Sequence, residues 1–417
     1  MITGADVVSF RQRRSLTRKQ LATIVGLTEA KIWRIEEMHV FKDDEEERLV
    51  TAGVMAVTYD EEPPIQASTQ PPPISSPVVI ERPVAEEVDL AELSQRAGRT
   101  YSRYISNSEL QTFKRCRRKW FLAWHRGLRA IRESPVGTRQ VGARLHLALK
   151  AHYVPGGPPA RTTMLDELER LITLERSNLD GQTDDEERMK FEQDADLERI
   201  MLEGYVQWLA DTGADADLKV IAPETYLEAA LSEFNDTVAI IGKLDVRVQR
   251  TTDGAILFLD HKSLGEFTKT TRLLPITEQM MHYQLLEELN APEGQHVAGA
   301  LYNMMRRVKR TGSARPPFYQ RVEVHHNAHV MRNYRRRIVG EITDILEVQD
   351  QLQAGADHQT IAYPSPTRDC YWDCPFLQVC PMFDDGSRAE DMLAEHYTAG
   401  DPLSYYMTEM LGEEGER

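Results

Sequence analysis

Cysteine is nearly absent: 417 residues contain four, Cys116, Cys370, Cys374 and Cys380. That is too few for a disulfide-built scaffold, and three of them crowd into one short stretch. Long apolar runs are missing too. No segment approaches the length needed to cross a bilayer, and Met1 to Phe10 lacks the basic-then-apolar order of a secretory leader. A cytoplasmic chain with no membrane partner is expected. There is no Gly-x-x-x-x-Gly-Lys-Ser/Thr loop, since Gly242-Lys243 is followed by Leu244, so the chain brings no ATP motor of its own. Positive charge is not in excess either. A formal net charge of -16 argues against a uniformly basic nucleic-acid coat.

The positive charge that is present is concentrated. Between Arg99 and Lys150 stand thirteen Lys or Arg residues against Glu109 and Glu133. Further basic runs surround Arg306, Arg307, Lys309 and Arg310, and then Arg335, Arg336 and Arg337. Acid collects between Asp180 and Asp217 and after Asp384. The length allows one large core plus a small module.

Residues 1–54 read as that module. Helices are expected from Val7 to Arg14, Thr17 to Val25 and Thr28 to Glu36, with Thr17 and Thr28 as N-caps and Gly26 at the turn between. Leu21, Ala22, Val25, Ile32 and Ile35 fall at core spacing. The pattern resembles the helix-turn-helix of phage repressor-like proteins. That resemblance implies a recognition helix from Thr28, with Glu29, Ala30, Lys31, Trp33 and Arg34 open to a groove and Arg11, Arg13, Arg14, Arg18 and Lys19 near phosphates. A helical docking module without DNA contact is the alternative. Residues 55–100 form a proline-rich linker around Pro63-Pro64, Pro71-Pro72-Pro73 and Pro77, in which Val88 to Leu93 adds one short helix. Residues 101–385 make the large domain, and 386–417 read as an acidic, solvated tail.

The large domain is organised around Val238 to Ser263. Two strand-like runs, VAIIGKLDVRV and AILFLD, flank Thr251-Thr252-Asp253-Gly254, whose Asp-Gly pair suits a tight reversal, so a β-hairpin is expected. Asp245 lies inside the first strand and Asp260 closes the second. Alternation along a strand sends Asp260 and Lys262 to the same side, toward whatever Asp245 helps to hold. A carboxylate at the end of a buried apolar run is costly unless a cation or hydrogen bonds compensate. Two hard carboxylates suit Mg²⁺ or Mn²⁺, which polarise a phosphoryl oxygen and activate a bound water. Lys262 would orient that water or neutralise charge developing on the phosphate. A surface hairpin with a solvated Asp-Lys pair is the plainer reading of these three residues alone.

Around this centre, Ser106 caps a basic helix in which Leu110, Phe113 and Trp120 share an apolar face, while Arg115, Arg117, Arg118 and Lys119 crowd the other side, where they could grip a phosphate backbone or merely solvate it. His146 sits in the helical run VGARLHLALKAHY, where a lone histidine is usually structural. Asp166 to Asp211 reads as acidic helices with a solvated charged face. Val220 onward is a strand in which Glu224 is a possible further carboxylate. Gln279 and Tyr283 occupy neighbouring turns of one helix, and a buried strand from Gly299 and a long helix from Met331 to Leu352 follow. The cysteines run Cys370-x3-Cys374-x5-Cys380, with Cys116 far upstream. Four thiolates suit tetrahedral Zn²⁺ or a [4Fe-4S] cluster, and spacing does not choose between them.

Taken in order, Ser-x-Ser-x-Leu-x-x-Phe-x-x-Cys, Gly-x-x-x-His, Gly-x-x-Asp, Asp-x-Lys, Gln-x-x-x-Tyr and the cysteine triplet resemble the RecB-type, iron-sulfur branch of the PD-(D/E)xK nucleases, over Tyr104 to Phe383. The resemblance implies an α/β (α+β) domain with a restriction-endonuclease-like mixed sheet flanked by helices. It implies a metal-dependent DNA nuclease, of exonuclease type, in recombination, repair or phage DNA processing, in the host cytoplasm if a phage carries it. By the same resemblance His146, Asp245 and Asp260 bind Mg²⁺ or Mn²⁺, Lys262 assists the attacking water, and Gln279 and Tyr283 position the metal shell or the DNA. Cys116, Cys370, Cys374 and Cys380 hold a [4Fe-4S] cluster. DNA is the implied partner, together with a helicase or recombination protein. Two positions depart from the pattern: Leu244 replaces a proline that supplies no ligand, and the triplet has three rather than two residues between its first cysteines. The reading from a different class is a DNA-binding regulator or recombination accessory that keeps the nuclease fold as an inactive scaffold.

Overall fold

The structure is a computed structural model that describes residues 7–8, 10–11, 16–38, 45–51, 101–157, 163–179 and 183–406. The linker, the short helix expected at Val88 to Leu93, and Arg13 and Arg14 lie outside the described residues. Two compact units divide the chain, Met1–Glu81 and Arg82–Arg417.

In the small unit, helix α1 (Arg18–Val25) opens on a capping box: Gln20 N donates to Thr17 Oγ1, and the Gln20 side chain receives the Thr17 N–H. Gly26 closes it in the left-handed region at φ 66°. Helix α2 (Glu29–Met38) follows, and a third, α3 (Glu45–Thr51), was not anticipated. Leu21, Ala22, Val25, Ile32 and Ile35 are buried together with Val7, Phe10 and Leu49. Arg11 and Arg18, expected near phosphates, turn inward instead. Both donate to Glu36, at 2.7 and 2.6 Å. Burial acts to raise the Glu36 pKa, and the two guanidinium partners outweigh it and hold the carboxyl below its usual value.

The large unit carries a six-stranded mixed sheet: β1 (Arg103–Ser106), β3 (Leu218–Ala230), β4 (Val238–Arg250), β5 (Ile256–Leu264), β6 (Val297–Arg306) and β7 (Tyr319–Val324). The remaining short strands, β2 (Leu128–Ala130) and β8 (Tyr397–Ala399), pair with each other. The hairpin forms as expected between β4 and β5, with Gly254 at φ 74° in its turn. On one face of the sheet lie helices α5 (Thr138–His152), α6 (Thr163–Ser177) and α7 (Asp185–Thr212), sharing a core with Val246, Val248, Leu257, Leu259 and Leu301. On the other face α4 (Asn107–Arg115), α8 (Glu278–Asn290) and α9 (Ala328–Gln353) pack with Ile240 and Leu231. Ser106 caps α4, accepting from Glu109 N at 3.2 Å.

Two sequence expectations need correction. The acid in α7 is not all a solvated face: Glu198 is fully buried against Arg144, whose Nε and Nη2 donate at 2.7 to 3.0 Å, and Asp194 accepts from Gly137 N at 2.9 Å. Nor does the solvated tail begin at 386. Helix α10 (Ala389–His396) and β8 are built into the domain, because Leu393, Tyr397, Leu403 and Tyr406 bury apolar surface that the surrounding charges concealed in the sequence.

Candidate active site

The site arises from how β4 shares its edges. Along one edge β3 pairs with β4 from Ala239 to Arg250. The other edge is divided: residues 238–241 pair with β1, in parallel, and residues 246–249 pair with β5, antiparallel. Between these, residues 242–245 have no strand partner on that edge, and the sheet forks. Asp245 stands in the fork. Its Oδ2 accepts the His261 backbone N–H at 2.7 Å, the carboxylate taking the place of a carbonyl where the β4–β5 ladder stops. Its Oδ1 lies 3.3 Å from His146 Nδ1, presented by α5 one residue beyond the buried Leu145.

Asp260 and Lys262 project to the same side of β5. Asp260 is 1% exposed. Lys262 Nζ is 2.8 Å from Asp260 Oδ2, yet that oxygen has no aligned hydrogen-bond donor. Burial, reinforced by the charge of Asp245, pushes the Asp260 carboxyl up to about 6 against the pull of Lys262. For Asp245 the balance reverses: burial raises its pKa, and His146 and Lys262 outweigh it and hold the group well below the usual carboxylate range. His146 is raised above an ordinary histidine, because Asp245 outweighs the burial that acts against its charged form. Lys262 is likewise raised, burial being overcome by Asp260 and Asp245. The ammonium therefore stays protonated.

Helix α8 closes the fork from above. Its His282 donates from Nε2 to Ile241 O at 3.0 Å and meets Tyr334 OH at 3.2 Å. Gln279 Nε2 donates to Tyr283 OH at 3.1 Å, so this expected pair is brought together. Gly242 permits the close approach, since a Cβ there would stand 2.7 Å from Leu286 Cδ1 and 3.0 Å from Tyr283 Cε1. Gly242→Ala is expected to destabilise the domain by about 1–3 kcal/mol through overpacking, read as a lower urea midpoint at unchanged slope.

Glu224 lies across from Asp245, between the pairs Pro223–Val246 and Thr225–Leu244. Its backbone is left-handed at φ 47°, an unfavourable conformation for a glutamate. The side chain is turned to Lys243 Nζ at 2.7 Å. Sequence reasoning missed Tyr302, which pairs with Asp260 in the β5–β6 register. Burial, and the charges of Asp260 and Asp245 against that of Lys262, push its phenol up to about 12. The signal available was its place among the residues of a buried parallel strand beside Asp-x-Lys.

Among the described residues no three His, Cys, Asp or Glu side chains already stand as a metal-holding set. The donor chemistry at the fork nonetheless fits a hard divalent cation. Two carboxylates that converge beside an imidazole, with one ammonium near them, are what such an ion would satisfy.

The cationic side chains of the basic segment have partners within the domain. Arg115 pairs with Asp373 at 2.7 Å and Asp369 at 3.1 Å, and Lys119 with Asp373 at 3.0 Å. Arg118 is buried, reaching Cys380 O at 3.1 Å and Asp384 at 2.7 Å, so its guanidinium is not open to a phosphate. Arg117 stacks on Phe113 and Tyr363. These contacts fasten the cysteine-bearing segment to the start of the domain. Cys116 Sγ accepts from Lys119 N and Ser365 N at 3.5 Å, Cys370 Sγ from Thr367 N at 3.4 Å, and Cys380 Sγ lies 3.9 Å from Arg118 Nη1. All four cysteines are free and half-buried. N–H groups aimed at sulfur suit thiolate ligands. In the small unit, Trp33 is exposed, while Lys31 and Arg34 both pair with Glu45.

The model of the PD-(D/E)XK nuclease superfamily matches residues 104–381, about two thirds of the chain. The chain belongs to the PD-(D/E)XK nuclease superfamily. Its mixed sheet with helices on both faces is the restriction-endonuclease-like fold of that superfamily, and the matched span of the nuclease contains the fork and all four cysteines. No curated protein matches the chain. No helix among the described residues of the nuclease is long and apolar enough to cross a membrane.

Proposed function

We propose that this chain is a divalent-metal-dependent deoxyribonuclease, acting from DNA ends, with a metal centre at its four cysteines. The observation that carries the reading is the fork itself: one strand edge left unpaired over residues 242–245, into which Asp245, Asp260, Lys262 and His146 converge from three elements. Asp245 and Asp260, with His146, would hold Mg²⁺ or Mn²⁺. When bound, such an ion polarises a phosphoryl oxygen and makes a water acidic enough to attack at neutral pH.

The chain's own groups divide the remaining work. Lys262, 2.8 Å from Asp260 Oδ2, would orient the water or neutralise the charge that builds on the phosphate oxygens. His146, held on Asp245 Oδ1, keeps that carboxylate from rotating. Gln279 and Tyr283 form a hydrogen-bonded pair on the helix that covers the fork, where they would orient the reacting group. In the small unit, Trp33 with Lys31 and Arg34 would meet a DNA groove, and Arg115, Arg117 and Lys119 would assist DNA binding only secondarily, being committed to the cysteine segment. Of the two sulfur-site candidates, [4Fe-4S] is preferred on the resemblance to the iron-sulfur branch, with Zn²⁺ as the other ligand of the same set.

Incubation of the purified chain with end-labelled linear DNA and with closed circles, with Mg²⁺, Mn²⁺ or EDTA, tests the reading. Loss of label from linear DNA that depends on the metal, with circles spared, is expected. A chain that leaves every DNA intact under all three conditions, while protecting a discrete site from chemical cleavage, would establish the regulator instead.

A further inference from the structure

On the face of β5 away from Asp260 and Lys262, a polar network runs through the core formed by α5, α7 and the sheet. His261, Asn303 and Arg321 stand side by side on β5, β6 and β7, in register across three strands. Arg321 donates from Nη1 to Asp215 Oδ1 at 2.6 Å and to Ala214 O at 2.8 Å, and from Nη2 to Tyr205 OH at 3.0 Å and Tyr153 OH at 3.2 Å. Its Nε donates to Asn303 Oδ1 at 3.2 Å. A guanidinium can only donate, so the Asn303 oxygen must face it, and the amide NH₂ must face the other way. There it meets Tyr205 OH at 3.0 Å and His261 Nδ1 at 2.9 Å. An NH₂ group also only donates. His261 Nδ1 is therefore the acceptor, and in the neutral ring the proton sits on Nε2. The backbone N–H of that same residue is the one that binds Asp245 Oδ2.

Asn303 and His261 are 0% and 1% exposed. Apolar residues of similar volume commonly serve stability as well as a buried charged network does. The network is thus better accounted for by what it orients. We propose that Arg321 and Asn303 are positioning residues: they fix the His261 ring in one orientation, and with it the stretch of β5 whose backbone N–H holds Asp245 turned into the fork. The inference rests on the metal-dependent reading of that fork. It adds a set of residues outside the fork on which the affinity for the divalent ion depends.

Two measurements on the full chain test it, neither of them catalytic. Long-range ¹H–¹⁵N spectra of histidine-labelled protein report the tautomer, with the His261 signal assigned by its loss in His261→Asn. Calorimetry with Mn²⁺ reports affinity. In the wild type His261 is expected as the Nε2–H form. In Asn303→Asp the carboxylate cannot donate, so Nδ1 is no longer held as an acceptor and the ring loses its fixed orientation, and Mn²⁺ affinity falls about tenfold or more. Arg321→Lys keeps the charge but not the fork that orients Asn303, and carries the same comparison should Asn303→Asp not fold. An Nδ1–H wild type, or Mn²⁺ affinity within about twofold of wild type in the folded variants, overturns the proposal. A wild type that binds no Mn²⁺ overturns the metal reading beneath it, and this inference with it.

Discussion

Asp260→Asn is expected to lower metal-dependent DNA cleavage by about a thousandfold or more, equivalent to about 4 kcal/mol of transition-state stabilisation. Lys262→Ala is expected to do comparable damage by a different route. Asp260 is the buried carboxylate proposed to hold the ion, so its neutralisation would remove a ligand, and activity should be partly restored by raising the metal concentration. Lys262 supplies a cation rather than a ligand, and its loss should persist at saturating metal, as a drop in kcat of about 10² to 10³. Titrations of Mg²⁺ at fixed DNA separate the two. Thermal unfolding of both variants within a few degrees of the wild type would show that the loss is chemical. Full activity in either variant would reject the assignment of the fork as the hydrolytic centre.

The second large effect concerns the cysteines. Protein purified without oxygen is expected to be brown and to carry iron and sulfide. Cys116→Ser and Cys380→Ser should each bleach it and lower its melting temperature by about 5–10 °C. The size follows from topology. Cys116 belongs to the opening of the domain and Cys380 to its close, and several of the polar contacts between these parts are half-exposed ion pairs such as Arg115–Asp373, each worth little. The segment is also held by Phe376, Val379 and Phe383 in the core, so the variants should remain folded. Colourless protein with one zinc per chain would replace the cluster by zinc at the same ligands. Metal-free protein with unchanged melting in both serine variants would remove the centre altogether.

Much of this protein follows from local pattern. The caps at Thr17 and Ser106, the turn at Gly254 and the same-side placement of Asp260 and Lys262 depend on chain geometry within a few residues. Periodicity therefore exposes them, and the Asp-x-Lys strand with its hairpin partner could be read directly from the sequence. Contacts made at long range could not. The fork at residues 242–245 exists because β1 and β5 share one edge of β4, a matter of register between strands over a hundred residues apart in sequence. The same applies to Arg118, whose basic run suggests phosphate contact until Asp384 and the Cys380 carbonyl are found beside it. It applies equally to Asn303 and Arg321, which carry no motif and enter the network only because Asn303 lies across from His261 and Arg321 across from Asn303. Local pattern was enough for most of the elements and for the chemical types at the centre. Which polar side chains meet is a property of the folded chain, because burial makes each unpaired donor or acceptor costly, and the partner that relieves the cost is chosen by the packing of the whole sheet.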